Sequence, residues 1–257
     1  MQMIDIGGRR LAVEDTGAGG PPVILEGGLL SAGDDWQVVQ QALTPVTRVC
    51  AYARAGRGQS DPAPLPRTFQ DIVHDLHLLL GALAVEPPVI FVGASIGGMI
   101  GRVYAHLYPG EVAGMVLADP SHPDQFIRST AALPSEQPGE DGGIRYFRSF
   151  WTEGHKDPSK NPEGIDFPVS CEQARQCGTL GDIPVTVLTS GTFLQMPFDA
   201  ASQQRLHRVW LEMHEEIAAL STRSQRITIE DSGHFMAKDR PDAIIEAVRQ
   251  MVAQVRG

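Results

Sequence analysis

The stretch from Val89 to Ile100, which reads VIFVGASIGGMI, restricts the fold of this chain more than any other feature of the sequence. A short apolar run rich in β-branched residues ends at Gly93, and a helical pattern opens three residues later. Such a run predicts a buried strand, and the residues after it predict a helix. Between the two lies a G-x-S-x-G element with Ser95 at its centre. We therefore predict a tight strand–turn–helix unit with Ser95 in the turn.

The position of Ser95 between strand and helix indicates a nucleophile. A tight turn crowds the backbone, so the residues two positions either side of the serine must be small, and glycine is the smallest. The turn would present the Ser95 hydroxyl at the carboxyl edge of the sheet, near the unpaired amides that begin the helix. The alternative is an ordinary glycine-rich turn whose serine caps the helix, because G-x-S-x-G alone is a weak signal.

Composition limits the class of protein and its partners. The 257 residues are 42% apolar and 20% charged, which is typical of a globular chain with a full hydrophobic core. A net charge of -10 without an acidic tract argues against nucleic acid and anionic membranes as partners. No run approaches transmembrane length, and residues 1–8 lack the apolar part of a signal peptide, so we predict a cytoplasmic protein. Nothing in the sequence indicates an oligomeric state.

The three cysteines are too few for a disulfide framework. Cys50 falls in a predicted buried strand, whereas Cys171 and Cys177 lie close enough in sequence to meet within one loop. Without a secretion signal, free thiols are the expectation, and pairing of the last two remains the alternative.

Strands and helices alternate along most of the chain. A hairpin is predicted over residues 3–14, further strands near 23–25, 46–52, 89–93, 115–118, 184–189 and 226–230, and helices near 34–43, 68–83, 96–107, 200–220 and 241–255. This alternation predicts an α/β fold with a mostly parallel central sheet, helices on both faces and right-handed crossovers. Residues 121–182 break the pattern with frequent prolines and glycines. We predict an inserted lid there, and a core made of residues 1–120 and 183–257.

His234 is the predicted base for Ser95. A serine hydroxyl needs a base at neutral pH, and function in parallel sheets collects at the carboxyl ends of the strands. His234 follows the last predicted strand behind a glycine, and only His122, at the start of the insertion, has a comparable position. His74 and His77 lie three residues apart on a predicted helix, but no third ligand accompanies them, so we predict no metal site.

These motifs make the chain similar to the α/β-hydrolase superfamily, in particular to small esterase- or lipase-like members with a lid. The resemblance covers nearly the whole chain, and four segments carry it: LEGGL at 25–29, YARAGRGQS at 52–60, GASIGG at 93–98 and SGH at 232–234. It implies the α/β-hydrolase fold and a catalytic triad in the chain order serine, acid, histidine.

The acid is where the chain departs from that resemblance. Most members carry it after the strand that is predicted here at 185–189, but the following loop has no carboxylate before Asp199. Some members carry it one strand earlier, which matches Asp119, and that strand would adjoin the strand before Ser95. We predict Asp119 as the acid that orients His234, with Asp199 as its rival. The alternative role for Asp119 is to cap the turn before Pro120.

An oxyanion hole needs two backbone amides that point at the developing negative charge. One should come from Ile96, the residue after the nucleophile. The resemblance implies that the other comes from the loop after the 23–25 strand, where members often have His-Gly-x and this chain has Gly27-Gly28-Leu29. Leu29 is the predicted donor and Gly28 the alternative.

Apolar and aromatic side chains near this edge predict a hydrophobic substrate. The candidate substrate-binding residues are Gly28, Phe126, Phe147, Phe150, Trp151, Phe193 and Met196. For each aromatic residue, packing in the core is an equally good explanation. We predict hydrolysis of a carboxylic ester or a lactone through an acyl-enzyme on Ser95, with no cofactor. A non-catalytic ligand receptor and a cofactor-free lyase or oxygenase are the alternatives on the same fold.

Overall fold

The structure, a computed structural model, describes residues 1–192 and 198–257. Within them one sheet of eight strands runs in the order β1-β2-β4-β3-β5-β6-β7-β8. The strands are β1 Gln2–Asp5, β2 Arg10–Thr16, β3 Val23–Glu26, β4 Val49–Tyr52, β5 Val89–Ala94, β6 Val112–Ala118, β7 Val185–Ser190 and β8 Ser224–Ile229. The hairpin β1–β2 pairs antiparallel with β4, and all further neighbours are parallel. The predicted α/β fold with a mostly parallel sheet is confirmed.

Helices cover both faces of the sheet. They are α1 Gln37–Leu43, α2 Phe69–Ala82, α3 Ile96–Leu107, α4 Gln125–Ala132, α5 Gly142–Thr152, α6 Phe167–Gln176, α7 Ala200–Ala218, α8 Met236–Asp239 and α9 Pro241–Arg256. Short 3-10 turns lie at Asp34–Trp36, Gly154–Lys156 and Pro158–Lys160. No helix in the described part of the chain is both long and apolar enough to cross a membrane.

The core has two layers because side chains alternate across each buried strand. In β5, Phe91 packs on the face that α2, α3 and α7 cover, whereas Ile90 and Val92 pack on the face that α1 and α9 cover. A parallel sheet buried on both faces needs apolar residues at nearly every position. The unbroken apolar run before Ser95 meets this need.

The helix before β4 is shorter, and β4 begins later, than the sequence suggests. Asp34–Trp36 is a 3-10 turn that starts behind Gly33 in the left-handed region at φ 86°. The amides of Val46 and Thr47 both donate to the carbonyl oxygen of Leu43, so the chain is still closing the helix where a strand was predicted. The short α8 after the last strand was not predicted either.

Residues 121–182, the insertion, carry α4, α5 and α6 between β6 and β7. Hydrogen bonds fasten α6 to the core helices: Ser170 Oγ accepts the Phe69 amide at 3.2 Å, Gln173 Oε1 accepts the Gln70 amide at 3.1 Å, and Arg102 Nη2 donates to the Ala174 carbonyl at 2.9 Å. The three cysteines are free thiols, and Cys50 and Cys171 are buried. That the insertion acts as a lid remains a prediction.

Candidate active site

Ser95 occupies a strained turn between β5 and α3. Its backbone has φ 52° and ψ -121°, a conformation that residues other than glycine rarely adopt. The turn leaves no room on either side: a Cβ atom on Gly93 would lie 2.5 Å from the Gly97 carbonyl oxygen, and one on Gly97 would lie 2.5 Å from the Glu26 carbonyl oxygen. The two glycines of the motif are therefore required by close backbone approach.

Ser95, His234 and Asp119 form one hydrogen-bonded line across three loops. His234 Nε2 lies 3.1 Å from Ser95 Oγ, and His234 Nδ1 lies 2.6 Å from Asp119 Oδ2. The three side chains follow β5, β8 and β6, so each stands at the carboxyl edge of the parallel sheet. The geometry is that of a serine nucleophile, its base and the acid that orients the base.

Asp119 is held by donors on its other oxygen. Its Oδ1 accepts the Ser190 amide at 2.8 Å and the Trp210 indole N–H at 3.1 Å, and the side chain is fully buried. Burial raises the pKa of this carboxyl, but the hydrogen bond and charge of His234, with smaller effects from His214 and Ser190, bring the pKa below its ordinary value. An ionised carboxylate only accepts, so His234 Nδ1 carries the proton and Nε2 is free to accept the Ser95 hydroxyl.

Asp199, the rival acid, has another partner. It caps the first turn of α7, where Oδ1 accepts the Ser202 amide at 2.9 Å and Oδ2 accepts the Ser202 hydroxyl at 2.6 Å. The hydrogen bonds that satisfy Asp199 are thus those of a helix N-cap. The carboxylate on His234 in this structure is Asp119.

Three groups near Ser95, His234 and Asp119 were not predicted from the sequence. Trp210 and His214 lie one helical turn apart on α7, and Ser121 Oγ lies 3.3 Å from Ser95 Oγ. The buried His214 accepts from Thr189 Oγ1 on Nδ1 and donates to the Pro120 carbonyl from Nε2, both at 2.9 Å. Burial lowers the pKa of His214 to about 4, so it is neutral at pH 7. Two aromatic residues at positions i and i+4 are common on amphipathic helices, so the sequence does not indicate that Trp210 and His214 lie beside Asp119.

The loop after β3 lies against the nucleophile. A Cβ atom on Gly28 would come within 3.3 Å of Ser95 Cβ and 3.9 Å of Ser95 Oγ. Within residues 1–192 and 198–257, no side chain or loop carbonyl accepts the amide of Leu29 or of Ile96. Leu29 and Ile96 remain the predicted oxyanion donors.

The predicted aromatic wall packs largely on itself. Phe126 and Phe167 meet edge to face at 5.2 Å, and Phe147 stacks on Trp151 at 5.0 Å. Phe126, Phe147 and Trp151 are buried, and Phe150 is half-buried. These side chains form the core of the insertion, and their contact with a substrate remains a prediction. Phe193 and Met196 lie outside the described residues.

The predicted histidine pair on α2 has ordinary packing. His77 stacks on Tyr108 with ring centroids 3.8 Å apart, and His74 is exposed. Among the residues that the structure describes, no three acidic, histidine or cysteine side chains are placed to share a metal ion.

The family model of the alpha/beta hydrolase fold matches residues 21–165. The uncharacterized protein YqjL of Bacillus subtilis is 28% identical over 233 residues, which is 90% of this chain and 83% of YqjL. A thermophilic esterase from Thermogutta terrifontis superposes with a TM-score of 0.68 at 24% identity, over 97% of this chain and 95% of the esterase. The haloalkane dehalogenase DatA from Agrobacterium tumefaciens has a TM-score of 0.68 at 17% identity, over 99% and 96%. At these identities the two structural likenesses bear on the fold alone.

Proposed function

The chain belongs to the family of proteins with the alpha/beta hydrolase fold, and on that premise we propose that it is a serine hydrolase of carboxylic esters and lactones. The observation that carries the proposal is the hydrogen-bonded line from Ser95 through His234 to Asp119, at the strained turn where β5 meets α3. The fold itself hosts many chemistries, so the site and not the fold selects acyl transfer.

In the first half of the proposed reaction, Ser95 Oγ attacks the carbonyl carbon of the ester while His234 Nε2 takes the hydroxyl proton. The carbonyl oxygen becomes an oxyanion, to which the amides of Leu29 and Ile96 would donate hydrogen bonds. When the tetrahedral intermediate collapses, the bond to the alcohol oxygen breaks and His234 gives its proton to that oxygen. Asp119 stabilises the imidazolium that exists between the two proton transfers.

In the second half, water replaces the alcohol. His234 Nε2 removes a proton from the water as its oxygen bonds to the acyl carbon, and the second oxyanion forms in the same place. Collapse breaks the bond to Ser95 Oγ and returns the proton to the serine. The products are a carboxylic acid and an alcohol, which are one molecule when the substrate is a lactone.

Apolar groups beside the site support a hydrophobic substrate. Phe235 follows the predicted base and is 69% exposed, and Leu30 follows the predicted oxyanion donor and is 45% exposed. Large apolar side chains left in water at a site edge are typical of ligand contact. The aromatic side chains of the insertion would add to the apolar wall. The three free thiols support the predicted cytoplasmic location.

A fluorophosphonate probe tests the nucleophile directly. Incubation followed by intact-mass measurement should show a single adduct, peptide mapping should place it on Ser95, and Ser95→Ala should abolish it. Para-nitrophenyl esters of graded chain length, with lactones beside them, should then define the acyl group, and a preference for longer chains is the expected result.

A folded protein without an adduct would overturn the proposal in favour of a ligand receptor or a lyase on the same fold. Labelling without turnover of any ester or lactone would restrict the proposal to another acyl substrate. Ser95→Ala that still hydrolyses esters would exclude the acyl-enzyme.

A further inference from the structure

A fully buried arginine lies behind the loop that faces Ser95. Arg54 follows β4, and its side chain is only 3% exposed. Its Nη1 donates to the Gly27 carbonyl at 2.8 Å, and its Nη2 donates to the Gly28 carbonyl at 2.6 Å. One guanidinium therefore binds two successive carbonyl groups of the same loop.

These two bonds determine where the loop amides point. The peptide groups from Gly27 to Gly28 and from Gly28 to Leu29 are trans, and in a trans peptide the N–H points opposite to the C=O. With both carbonyls turned to Arg54, the N–H groups of Gly28 and Leu29 face away from it. A Cβ atom on Gly28 would lie 3.3 Å from Ser95 Cβ, so the loop that carries these amides lies against the nucleophile.

A carboxylate from the insertion holds Arg54 in this orientation. Glu163 Oε2 accepts Arg54 Nε and Glu163 Oε1 accepts Arg54 Nη2, both at 2.8 Å. Glu163 Oε1 also accepts the Leu30 amide at 2.5 Å, so the same carboxylate binds the loop directly. Glu26, at the end of β3, accepts Arg54 Nη1 at 2.5 Å on the opposite side. Such bidentate, buried pairing defines the plane of a guanidinium.

Glu163 itself sits in a closed turn. Asn161 Nδ2 donates to the Ile165 carbonyl at 2.9 Å, and the Ile165 amide donates to Asn161 Oδ1 at 3.0 Å. The Arg67 amide donates to the Gly164 carbonyl at 2.9 Å, which ties this turn to the chain before α2. The position of the carboxylate is therefore determined before any ligand binds.

We propose that Arg54 and Glu163 are positioning residues for the oxyanion hole: they orient the loop amides toward the Ser95 oxyanion, and they make that orientation depend on the insertion. The inference rests on the proposed serine hydrolase function. Neither side chain needs to touch the substrate, since both act through the backbone of Gly27–Leu30.

Misplaced loop amides should change kcat and KM to different extents. The oxyanion exists in the transition state and not in the bound ester, so a misaligned amide lowers kcat and leaves KM nearly unchanged. A transition-state analogue should report the same loss. A trifluoromethyl ketone adds to the serine and forms an oxyanion, whereas the corresponding methyl ketone reports ground-state binding.

Glu163→Gln is the direct test. The side chain keeps its shape but offers one acceptor oxygen where three N–H groups now bind the carboxylate, so its amide NH₂ must face a donor in either orientation. We expect kcat to fall roughly 10- to 100-fold, between the cost of a displaced group and that of a lost oxyanion donor. The inhibition constant of the trifluoromethyl ketone should rise by the same factor, while methyl ketone binding and KM stay constant.

Glu140→Gln is the matched control. Glu140 pairs with Arg148 at 2.6 Å in the same insertion, and its side chain is 7% exposed. In the described part of the chain, the hydrogen bonds of its carboxylate come from Arg148 and not from the Gly27–Leu30 loop. This variant should lose thermal stability to a similar or smaller extent and keep both kcat and the affinity for the trifluoromethyl ketone. All rates are normalised to the amount of Ser95 that the fluorophosphonate labels.

Unchanged affinity for the trifluoromethyl ketone in folded Glu163→Gln, or a raised KM with unchanged kcat, would overturn the positioning role. If Glu163→Gln does not fold, Glu163→Asp keeps the charge but is too short to reach Arg54 and Leu30 together, and an unaltered inhibition constant there would also overturn it. Failure of the proposed function looks different, because the wild-type protein would then neither be labelled at Ser95 nor hydrolyse esters.

Discussion

The substitution Asp119→Asn should lower turnover by orders of magnitude, because it forces His234 into the wrong tautomer. Two donors, the Ser190 amide and the Trp210 indole N–H, converge on Asp119 Oδ1 at 2.8 and 3.1 Å. An asparagine would keep its oxygen toward those donors, because its NH₂ group would repel both. The NH₂ would then face His234 Nδ1, which must accept, and the proton would move to Nε2, where it blocks removal of the Ser95 proton.

The expected loss is about 10⁴-fold in kcat, as for a triad whose orienting acid becomes an amide, which corresponds to about 5.4 kcal/mol in the activation barrier. Steady-state hydrolysis of a para-nitrophenyl ester measures the loss, and circular dichroism confirms the fold. Asp199→Asn is the matched control, since asparagine is as good a helix N-cap as aspartate and should leave kcat and Tm almost unchanged. Activity of Asp119→Asn within 10-fold of wild type, or a large loss in Asp199→Asn, would refute the assignment.

Three further predictions concern stability. Burial lowers the pKa of His214 to about 4 from an ordinary value of 6.5, so the unfolded chain binds the extra proton first as the pH falls. The free energy of unfolding should therefore decline by about 3 kcal/mol between pH 6.5 and 4; urea titrations should find a shallower decline in His214→Gln, and an identical slope would contradict the assignment. Gly97→Ala places a Cβ atom 2.5 Å from the Glu26 carbonyl oxygen and should cost about 3 kcal/mol with loss of fluorophosphonate labelling; wild-type labelling would show that the turn can relax. Thr68→Ala removes the capping box of α2 and should lower stability by about 1 kcal/mol at constant kcat, so a fall in kcat would mean that α2 influences the site.

Much of the candidate site is predictable because its signals are local. Ser95 needs only a strand, a helix and two glycines in sequence, and the crowding that requires those glycines arises within a few residues of the turn. His234 can be predicted as the base because it comes after the last core strand. Asp119 is harder to predict as the acid, because its proposed role depends on the pairing of β6 with β5 and not on any motif. Sequence reasoning left Asp199 as its rival for that reason.

The supporting groups have no local signal. The Trp210 indole and Asp119 are 91 residues apart, and Glu163 and Arg54 are 109 residues apart. A tryptophan on an amphipathic helix and a glutamate in a polar insertion look like ordinary packing and ordinary surface until the chain is folded. The aromatic side chains of the insertion illustrate the same limit, since a buried ring and a substrate wall have the same composition.

The α/β class, the turn that carries Ser95 and the sheet edge at which the candidate side chains collect are all evident from the sequence, because strand periodicity and backbone crowding act over neighbouring residues. The folded chain was needed to show which carboxylate reaches His234, and that Arg54 and Glu163 bind the loop beside the nucleophile. Those choices depend on hydrogen bonds 2.6–3.1 Å long between side chains more than 90 residues apart. Such distances are set by how the layers of the fold pack together.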